Sequence, residues 1–151
     1  MRNASLADVG QLVDLMAEFY AESDYPLHRQ RATEAFTTLL SDDRLGHVWL
    51  IQADTQDVGY VVLTLGYSME YGGRDAFVDD LFVQAAYRGA GLGTAAVAEV
   101  RAFCAHLGVR ALHLEVGRDN APAHAVYRRA GFKSTDRQLL TLRLAEPTHA
   151  T

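Results

Sequence analysis

The sequence predicts one α/β domain, built on a mixed, mostly antiparallel sheet with helices on both faces. Two helical patterns come first, a long stretch rich in Val, Leu, Thr and Tyr follows, and helices alternate with strands in the last third. This gives the order α-α-β-β-β-α-β-α-β. A chain of 151 residues that is 49% apolar can build one core. We therefore predict a single domain over residues 1–146 and a disordered tail over 147–151.

Two helices are predicted before the first strand. Ser5 or Asp8 can cap the first helix, whose apolar residues recur at helical spacing from Val9 to Tyr20. The Asp24-Tyr25-Pro26 break ends it. A second, shorter apolar stripe runs from Ala32 to Leu40.

Three strands are predicted next, as an antiparallel meander. They cover His47–Ala53, Val58–Tyr71 and Phe77–Val83, where residues that favour strands are concentrated. The predicted turns are Thr55-Gln56-Asp57 and the hairpin signal Gly72-Gly73.

The C-terminal third alternates between helix and strand. A helix is predicted over Gly91–Leu107, followed by a strand over Ala111–Val116. A right-handed crossover would pair that strand in parallel with Phe77–Val83. A helix over Asn120–Ala130 and a last strand over Gln138–Leu144 complete the fold.

A glycine-rich turn joins the third strand to the following helix. Glycines let a backbone approach a ligand closely, and the free N–H groups of a helix's first turn attract an anion. The pattern therefore predicts a phosphate cradle, with a plain turn before a core helix as the alternative. The turn consists of Arg88, Gly89, Ala90, Gly91, Leu92, Gly93 and Thr94.

Two other phosphate-binding motifs compete for this turn. A Walker A loop is excluded, because no Gly-Lys-Ser/Thr follows. Gly91, Gly93 and Ala96 do satisfy the dinucleotide pattern G-x-G-x-x-G/A. A Rossmann unit, however, opens with this turn and continues through several βα units, whereas here a meander precedes it. NAD binding is the less favoured alternative.

The two ends of this region together resemble the GNAT superfamily of N-acetyltransferases. Arg88 to Gly93 matches its (Q/R)-x-x-G-x-G/A motif, and Leu81-Phe82-Val83 matches the strand ending before it. The resemblance extends from about Val48 to Leu144. Its downstream part consists of Leu114-Glu115-Val116, Asn120, Ala123, Tyr127 and Gly131-Phe132.

The resemblance implies that acetyl-CoA is the cosubstrate and that the central parallel strand pair splays apart to hold it. The N–H groups from Arg88 to Thr94 would bind the pyrophosphate. The strand residues Leu81, Phe82 and Val83 would line the pantetheine arm, with the main chain of the first and third pairing with it. Asn120 would contact the pantetheine side. Tyr127 would protonate the leaving thiolate, since its free pKa near 10 is close to that of a thiolate.

Three carboxylates are candidates for the general base. Asp79 and Asp80 lie on a predicted central strand, where a charge is costly unless it is paired or used. Strand alternation predicts that their side chains point to opposite faces, so at most one would face the thioester. The local sequence is similar to that of polyamine and diamine acetyltransferases, whose proposed base corresponds to Asp79. Glu115 is the rival, by similarity to ribosomal-protein N-terminal acetyltransferases. Each could instead cap backbone N–H groups.

Composition limits the partners and the compartment. A net charge of −5 disfavours nucleic acid, whose phosphates need a basic face. The lone Cys104 cannot form an internal disulfide, which favours a reducing compartment. No apolar run approaches the roughly 18–20 residues of a membrane span, and none of the six histidines has metal-ligand spacing. We expect a cytoplasmic protein without a membrane partner or metal, and a homodimer by resemblance.

The predicted activity is direct transfer of an acetyl group to a primary amine in a ternary complex. A small cationic amine of the diamine or polyamine kind is the first expectation. An antibiotic amine and a protein N-terminus or lysine are the alternatives. A non-catalytic acyl-CoA sensor is a second class, against which Tyr127 and Glu115 argue.

Overall fold

A computed structural model describes residues 1–145 of the chain. The predicted tail over 147–151 and the predicted domain end at residue 146 lie outside the described residues. Two short 3-10 turns, Leu6–Asp8 and Ala85–Tyr87, accompany the regular elements. Those elements are β1 (Arg2–Asn3), α1 (Val9–Glu22), α2 (Arg29–Leu40), β2 (Gly46–Ala53), β3 (Gln56–Ser68), β4 (Gly73–Val83), α3 (Leu92–Leu107), β5 (Ala111–Leu114) and α4 (Ala121–Arg129).

The five strands form one sheet in the order β1-β2-β3-β4-β5. All neighbours are antiparallel except β4 and β5, which run in parallel from the pair Asp75–Ala111 to the pair Val78–Leu114. This confirms the predicted meander and the predicted parallel pair. Past Val78 the two strands no longer pair, so the sheet opens along the second half of β4.

Helices cover both faces of the sheet, as predicted. On one face α1 and α2 bury Leu12 and Phe36 against Tyr60 and Phe82 of the sheet. On the other face α3 packs its apolar side against β2, β3 and β4. We call these the α1/α2 face and the α3 face.

The N-terminus is fastened to the sheet by one arginine. Ser5 and Asp8 form a reciprocal capping box at the entrance to α1. Arg2 donates to Asp8 and to Asp57, with Nη2–O distances of 2.8 Å to each. These hydrogen bonds lower the pKa of Asp8 to about 2 and hold β1 beside the start of β3.

The predicted bounds are close, with four differences in the sheet. The short strand β1 was not predicted. The β2–β3 turn is tighter than predicted, because Asp54 adopts a positive φ of 56° and β3 already begins at Gln56. β4 begins at Gly73, earlier than predicted, and β5 ends at Leu114 rather than Val116.

The predicted final strand, Gln138–Leu144, is wrong: this segment is described without strand structure. Its alternating leucines have the right pattern, but a strand also needs a partner edge. Arg137 instead pairs with Glu70 at the β3–β4 turn, with Nη1 2.8 Å from Oε2. The segment therefore begins beyond the hairpin end of the sheet rather than alongside β5.

Candidate active site

A cleft of about 840 Å³ opens where β4 and β5 separate. It brings together the two halves of the sequence motif, which come from β4, the glycine-rich turn and α4. Of the residues predicted to bind the cosubstrate, only Ala90 is absent from its lining. Those present are Leu81, Phe82, Val83, Arg88, Gly89, Gly91, Leu92, Gly93, Thr94, Asn120 and Tyr127.

The backbone of β4 forms one wall of this cleft. The Gln84 amide donates to the Val58 carbonyl of β3. Because hydrogen bonds alternate along an antiparallel pair, Leu81 and Val83 direct their backbone polar groups to the other side, toward the opening. An extended acyl chain entering the cleft would find these groups at its edge.

The glycine-rich turn has the geometry of an anion cradle. Gly89 and Gly91 have positive φ values of 86° and 83°, and Gly91 is the N-cap of α3. The Ala95 amide makes the first helical bond, to Gly91, so the amides of residues 92–94 have no acceptor within the helix. A Cβ built at Gly89, Gly91 or Gly93 would meet no atom within 4 Å, so the space in front of them is open. The turn thus fits a pyrophosphate.

Arg88 joins the cradle to the helix on the opposite side of the cleft. Its Nη2 lies 2.6 Å from the carboxylate of Glu22 at the end of α1. Its Nε donates to the Val83 carbonyl at 2.8 Å, and its guanidinium lies 5.6 Å from the centre of the Phe82 ring. The sequence identified Arg88 as an anion donor but did not indicate Glu22 as its partner.

α4 and its N-cap contribute three residues of the downstream motif to the cleft, Asn120, Ala123 and Tyr127. The side chain of Asn120 accepts from the Ala123 amide and so also caps α4. Tyr127 packs edge-on against Phe132. Burial raises the pKa of Tyr127, so its hydroxyl stays protonated and can donate.

A second cavity, of about 490 Å³, lies between α2 and the α1/α2 face of the sheet. Its walls are mainly apolar, and its polar side chains include three carboxylates and one guanidinium. The lining residues are Met16, Arg31, Ala32, Glu34, Ala35, Phe36, Thr38, Leu39, Leu45, Val62, Thr64, Asp79 and Asp80.

Asp79 and Asp80 both line this second cavity, which corrects the prediction that they point to opposite faces. The reason is a β-bulge. Val62 of β3 pairs with Asp80, and the next residue, Leu63, pairs with Val78, so Asp79 is an extra residue without a partner on β3. The bulge breaks the alternation and turns both carboxylates toward the same space. The first cleft begins at the very next residue, Leu81.

Asp80 is the most perturbed carboxylate of the site. It accepts a hydrogen bond of 2.9 Å from the hydroxyl of the fully buried Tyr60. Burial and the charge of Asp79 nevertheless raise the pKa of Asp80 to about 7. Partial burial also raises the pKa of the more exposed Asp79. Asp80 is therefore set to exchange a proton near neutral pH.

Two tyrosines near the carboxylates escaped the sequence analysis. Tyr60 supplies the hydrogen bond just described. The pKa of Tyr20 is raised to about 12 by burial and by the charges of Asp80 and Asp79. Each occupies an apolar position in the pattern of its helix or strand. The pairing of β3 with β4 brings Tyr60 to the carboxylates, and the packing of α1 on the sheet brings Tyr20 there.

Glu115 lies apart from the other candidates. It is exposed, one residue past the end of β5, and belongs to neither cavity lining. Its role as the base stays a prediction, because Glu115 has neither the burial of Asp80 nor a place in the cavity that Asp79 and Asp80 line.

Within residues 1–145 no group of three or more His, Cys, Asp or Glu side chains is arranged to hold a metal ion. Across the same residues, no helix has the length and apolarity to span a membrane.

Comparison with known proteins agrees with this geometry. The chain is 29% identical over 152 residues to an aminoglycoside N(6')-acetyltransferase type 1 of Stenotrophomonas maltophilia, covering 98% of this chain and 95% of that protein. The fold matches an integron cassette protein, HFX_CASS3, from the mobile metagenome of Cole Harbour Salt Marsh, with TM-score 0.88, 49% identity and coverage of 97% and 91%.

A further match in fold is a predicted acetyltransferase from Clostridium acetobutylicum, solved with acetyl-CoA, with TM-score 0.78, 19% identity and coverage of 95% and 94%. The acetyltransferase (GNAT) family model matches residues 11–132, which confirms the resemblance found in the sequence. The chain therefore belongs to the acetyltransferase (GNAT) family, as an acyltransferase with acetyl-CoA as its cosubstrate.

Proposed function

We propose that the acceptor is a small cationic amine with an apolar body, such as an alkyl diamine, and that it enters the second cavity. The observation that carries this proposal is the bulge at Asp79, which directs two adjacent carboxylates into a largely apolar cavity. The carboxylates would bind the ammonium group, and the walls would cover the methylene chain. The carboxylate of Glu34, on α2, would bind the second ammonium group of a diamine. The positive charge of Arg31 would repel longer polycations.

Asp80 is the proposed general base. An amine attacks a thioester only as the neutral form, so the ammonium must lose a proton inside the site. With a pKa of about 7, Asp80 is ionised in part at neutral pH and can take that proton. Asp79 would hold the substrate ammonium beside it.

Tyr127 is the proposed general acid. The amine nitrogen forms a bond to the acetyl carbon, the carbon–sulfur bond breaks, and the departing thiolate takes the phenolic proton. Tyr127 lies in the cleft that the cosubstrate would fill, on α4 and across from β4. The pyrophosphate would bind to the amides of residues 92–94, which the left-handed Gly91 exposes.

An aminoglycoside amine is the second candidate acceptor, favoured by the similarity that spans 98% of this chain. Such substrates are larger and more polar than the cavity of about 490 Å³ and its apolar walls suit. For this reason we place the small amine first. A protein N-terminus or a lysine side chain is the next candidate acceptor. A non-catalytic acyl-CoA sensor is the last alternative. A homodimer in the cytoplasm remains part of the proposal, on the strength of the family resemblance.

The test is a thiol-release assay with acetyl-CoA and a panel of acceptors: alkane diamines, alkyl monoamines, an aminoglycoside and a peptide with a free N-terminus. We expect the best kcat/KM with a diamine or alkyl monoamine. Preference for the aminoglycoside or the peptide would overturn the acceptor assignment. Acetyl-CoA binding without turnover of any amine would support the sensor instead.

Two variants assign the base in the same assay. Asp80→Asn should lower kcat by about 100-fold and remove the rise of kcat/KM with pH that is centred near 7 in the unmodified protein. Asp14→Asn is the matched control, since Asp14 is exposed on α1 and lines neither cavity. An Asp80→Asn enzyme that keeps the pH limb would transfer the role of base to Asp79 or Glu115.

A further inference from the structure

The hydroxyl of Tyr60 reaches the active site from inside the hydrophobic core. Tyr60 is fully buried on the α1/α2 face of the sheet, and three phenylalanine rings pack against its ring. Their centroids lie 6.4, 6.0 and 6.3 Å from that of Tyr60, and they belong to Phe19 of α1, Phe36 of α2 and Phe82 of β4. Because three separate elements enclose the ring in a close-packed core, the position of its hydroxyl is fixed.

The register of β4 against β3 brings Asp80 to this hydroxyl. Asp80 pairs with Val62, which lies two residues from Tyr60 on the same strand. Diagonal neighbours at this spacing are within reach of a long aromatic side chain. The Tyr60 hydroxyl donates to Oδ2 of Asp80 at 2.9 Å, so one of the two carboxylate oxygens is held from below the cavity floor. The other oxygen, Oδ1, is not engaged by Tyr60.

This hydrogen bond favours the ionised form of Asp80. Burial and the charge of Asp80 raise the pKa of Tyr60, so the hydroxyl keeps its proton and stays a donor. A donor stabilises a carboxylate more than a neutral carboxyl group. Burial is the larger influence on the pKa of Asp80 and raises it, while the hydrogen bond from Tyr60 lowers it. Without this hydroxyl, Asp80 would hold a proton at higher pH and would accept one less readily near neutrality.

Other titratable groups face Asp80 from the elements packed around it. The charge of Asp79, on β4, raises the pKa of Asp80. Tyr20, on α1, has a pKa raised to about 12, first by burial and then by the charge of Asp80, so it is neutral when Asp80 titrates. The charged groups that α2 adds to the cavity wall have opposite signs and are Arg31 and Glu34.

We propose that Tyr60 is a positioning residue for acetyl transfer: it fixes Oδ2 of Asp80, so that Oδ1 takes the proton of the acceptor ammonium. The proposal rests on the proposed role of Asp80 as the general base. In this step an N–H bond of the ammonium breaks, an O–H bond forms at Oδ1, and the neutral amine then attacks the thioester. Tyr60 exchanges no proton. It belongs to neither cavity lining, so it acts through Asp80.

Tyr60→Phe tests this role, because it removes one oxygen and keeps the ring among the phenylalanines. The rise of kcat/KM with pH, measured with the best amine of the acceptor panel, should move upward by about one pH unit from its centre near 7. The plateau above that rise should fall by about tenfold, because Asp80 loses its fixed orientation. Tyr67→Phe is the matched control. Tyr67 lies on the same strand, is 71% exposed and lines neither cavity, so its profile should equal that of the unmodified protein.

A double-mutant cycle separates positioning from packing. Tyr60→Phe should lower plateau kcat by about tenfold in the unmodified protein but by less than about twofold in the Asp80→Asn background, since its effect passes through Asp80. A defect of core packing would lower kcat by the same factor in both backgrounds, and that outcome overturns the proposal. Acetyl-CoA binding, measured by calorimetry, checks that each variant is folded, because Tyr60 contributes nothing to the cleft.

Direct titration of Asp80 distinguishes a failure of this proposal from a failure of the proposed base. Carbon-13 NMR of the aspartate carboxyl groups measures the pKa of Asp80, whose signal is assigned by its loss in Asp80→Asn. We expect this pKa to rise by about one unit in Tyr60→Phe. An unchanged pKa overturns the role of Tyr60 and leaves the base assignment intact. A pKa that rises while the kinetic profile stays in place removes Asp80 as the base, and the role of Tyr60 with it.

Discussion

The carboxylate of Asp80 makes the stability of the folded protein depend on pH in a direction that can be calculated. Its pKa rises from an ordinary value of 3.8 to about 7 on folding. The folded state therefore holds this proton more tightly than the unfolded state. The stability that comes from neutral Asp80 is fully present below pH 3.8, falls as the pH rises, and is lost once the pH has passed about 7.

The size of the effect follows from the same two values. One pKa unit corresponds to about 1.36 kcal/mol, so the loss between pH 5 and pH 7 is at most roughly 2–3 kcal/mol. Partial access of solvent to Asp80 reduces this to about 1–2 kcal/mol. Asp80→Asn removes the titration and keeps an oxygen that can accept from Tyr60. The variant should therefore gain stability relative to the unmodified protein as the pH rises from 5 to 8.

Urea unfolding at pH 5, 6, 7 and 8 measures this gain, with the fluorescence of the single, buried Trp49 as the signal. Asp14→Asn again controls for the chemistry of the substitution. A difference in unfolding free energy between Asp80→Asn and the unmodified protein that stays constant across this range would refute the reasoning. It would mean that Asp80 ionises as freely in the folded chain as in the unfolded one.

Three further substitutions test the cleft and the sheet. Tyr127→Phe should lower kcat by about 100-fold and leave acetyl-CoA affinity within a factor of two or so; unchanged turnover would remove Tyr127 from the chemistry. Gly91→Val should abolish acetyl-CoA binding in calorimetry, because it strains a φ of 83° and fills the open cradle, and a normal binding curve would place the pyrophosphate elsewhere. Gly59→Ala should lower the melting temperature by several degrees, which corresponds to roughly 2 kcal/mol of stability. The reason is that the added Cβ would clash with the Phe82 carbonyl oxygen, 2.1 Å away. An unchanged melting temperature in a thermal scan would contradict the tight β3–β4 packing.

Local signals predicted the ends of the helices well. Gly91 marks the start of α3 because the left-handed conformation there suits glycine, and Gly108, at a φ of 78°, marks its end in the same way. Asn120, predicted as the first residue of the helix, is its N-cap. These features depend on a few neighbouring residues, so the sequence contains what is needed to recognise them.

Features that depend on pairing between distant segments could not be predicted. The bulge at Asp79 exists only in the register of β4 against β3, and the hydrogen bond from Tyr60 to Asp80 follows from that register. The predicted strand Gln138–Leu144 has an alternating pattern, but an alternating pattern does not show which sheet edge, if any, is free to pair with the segment. The sequence therefore reduced the candidates for the general base to Asp79, Asp80 and Glu115, but it could not distinguish among the three.

The bulge also shifts the phase of β4 by one residue. Val78 and Leu81 are three positions apart, an odd spacing that a regular strand sends to opposite faces, yet both pack against α3. Because of this one inserted residue, the strand contributes apolar side chains to the same core before and after the bulge. The side chains of Asp79 and Asp80 lie outside that core. Deleting Asp79 would restore the regular period and leave Val78 and Leu81 on the same face, but it would remove the bulge that turns the carboxylates into the second cavity. The length of this strand is accordingly as much a part of the active site as its carboxylates.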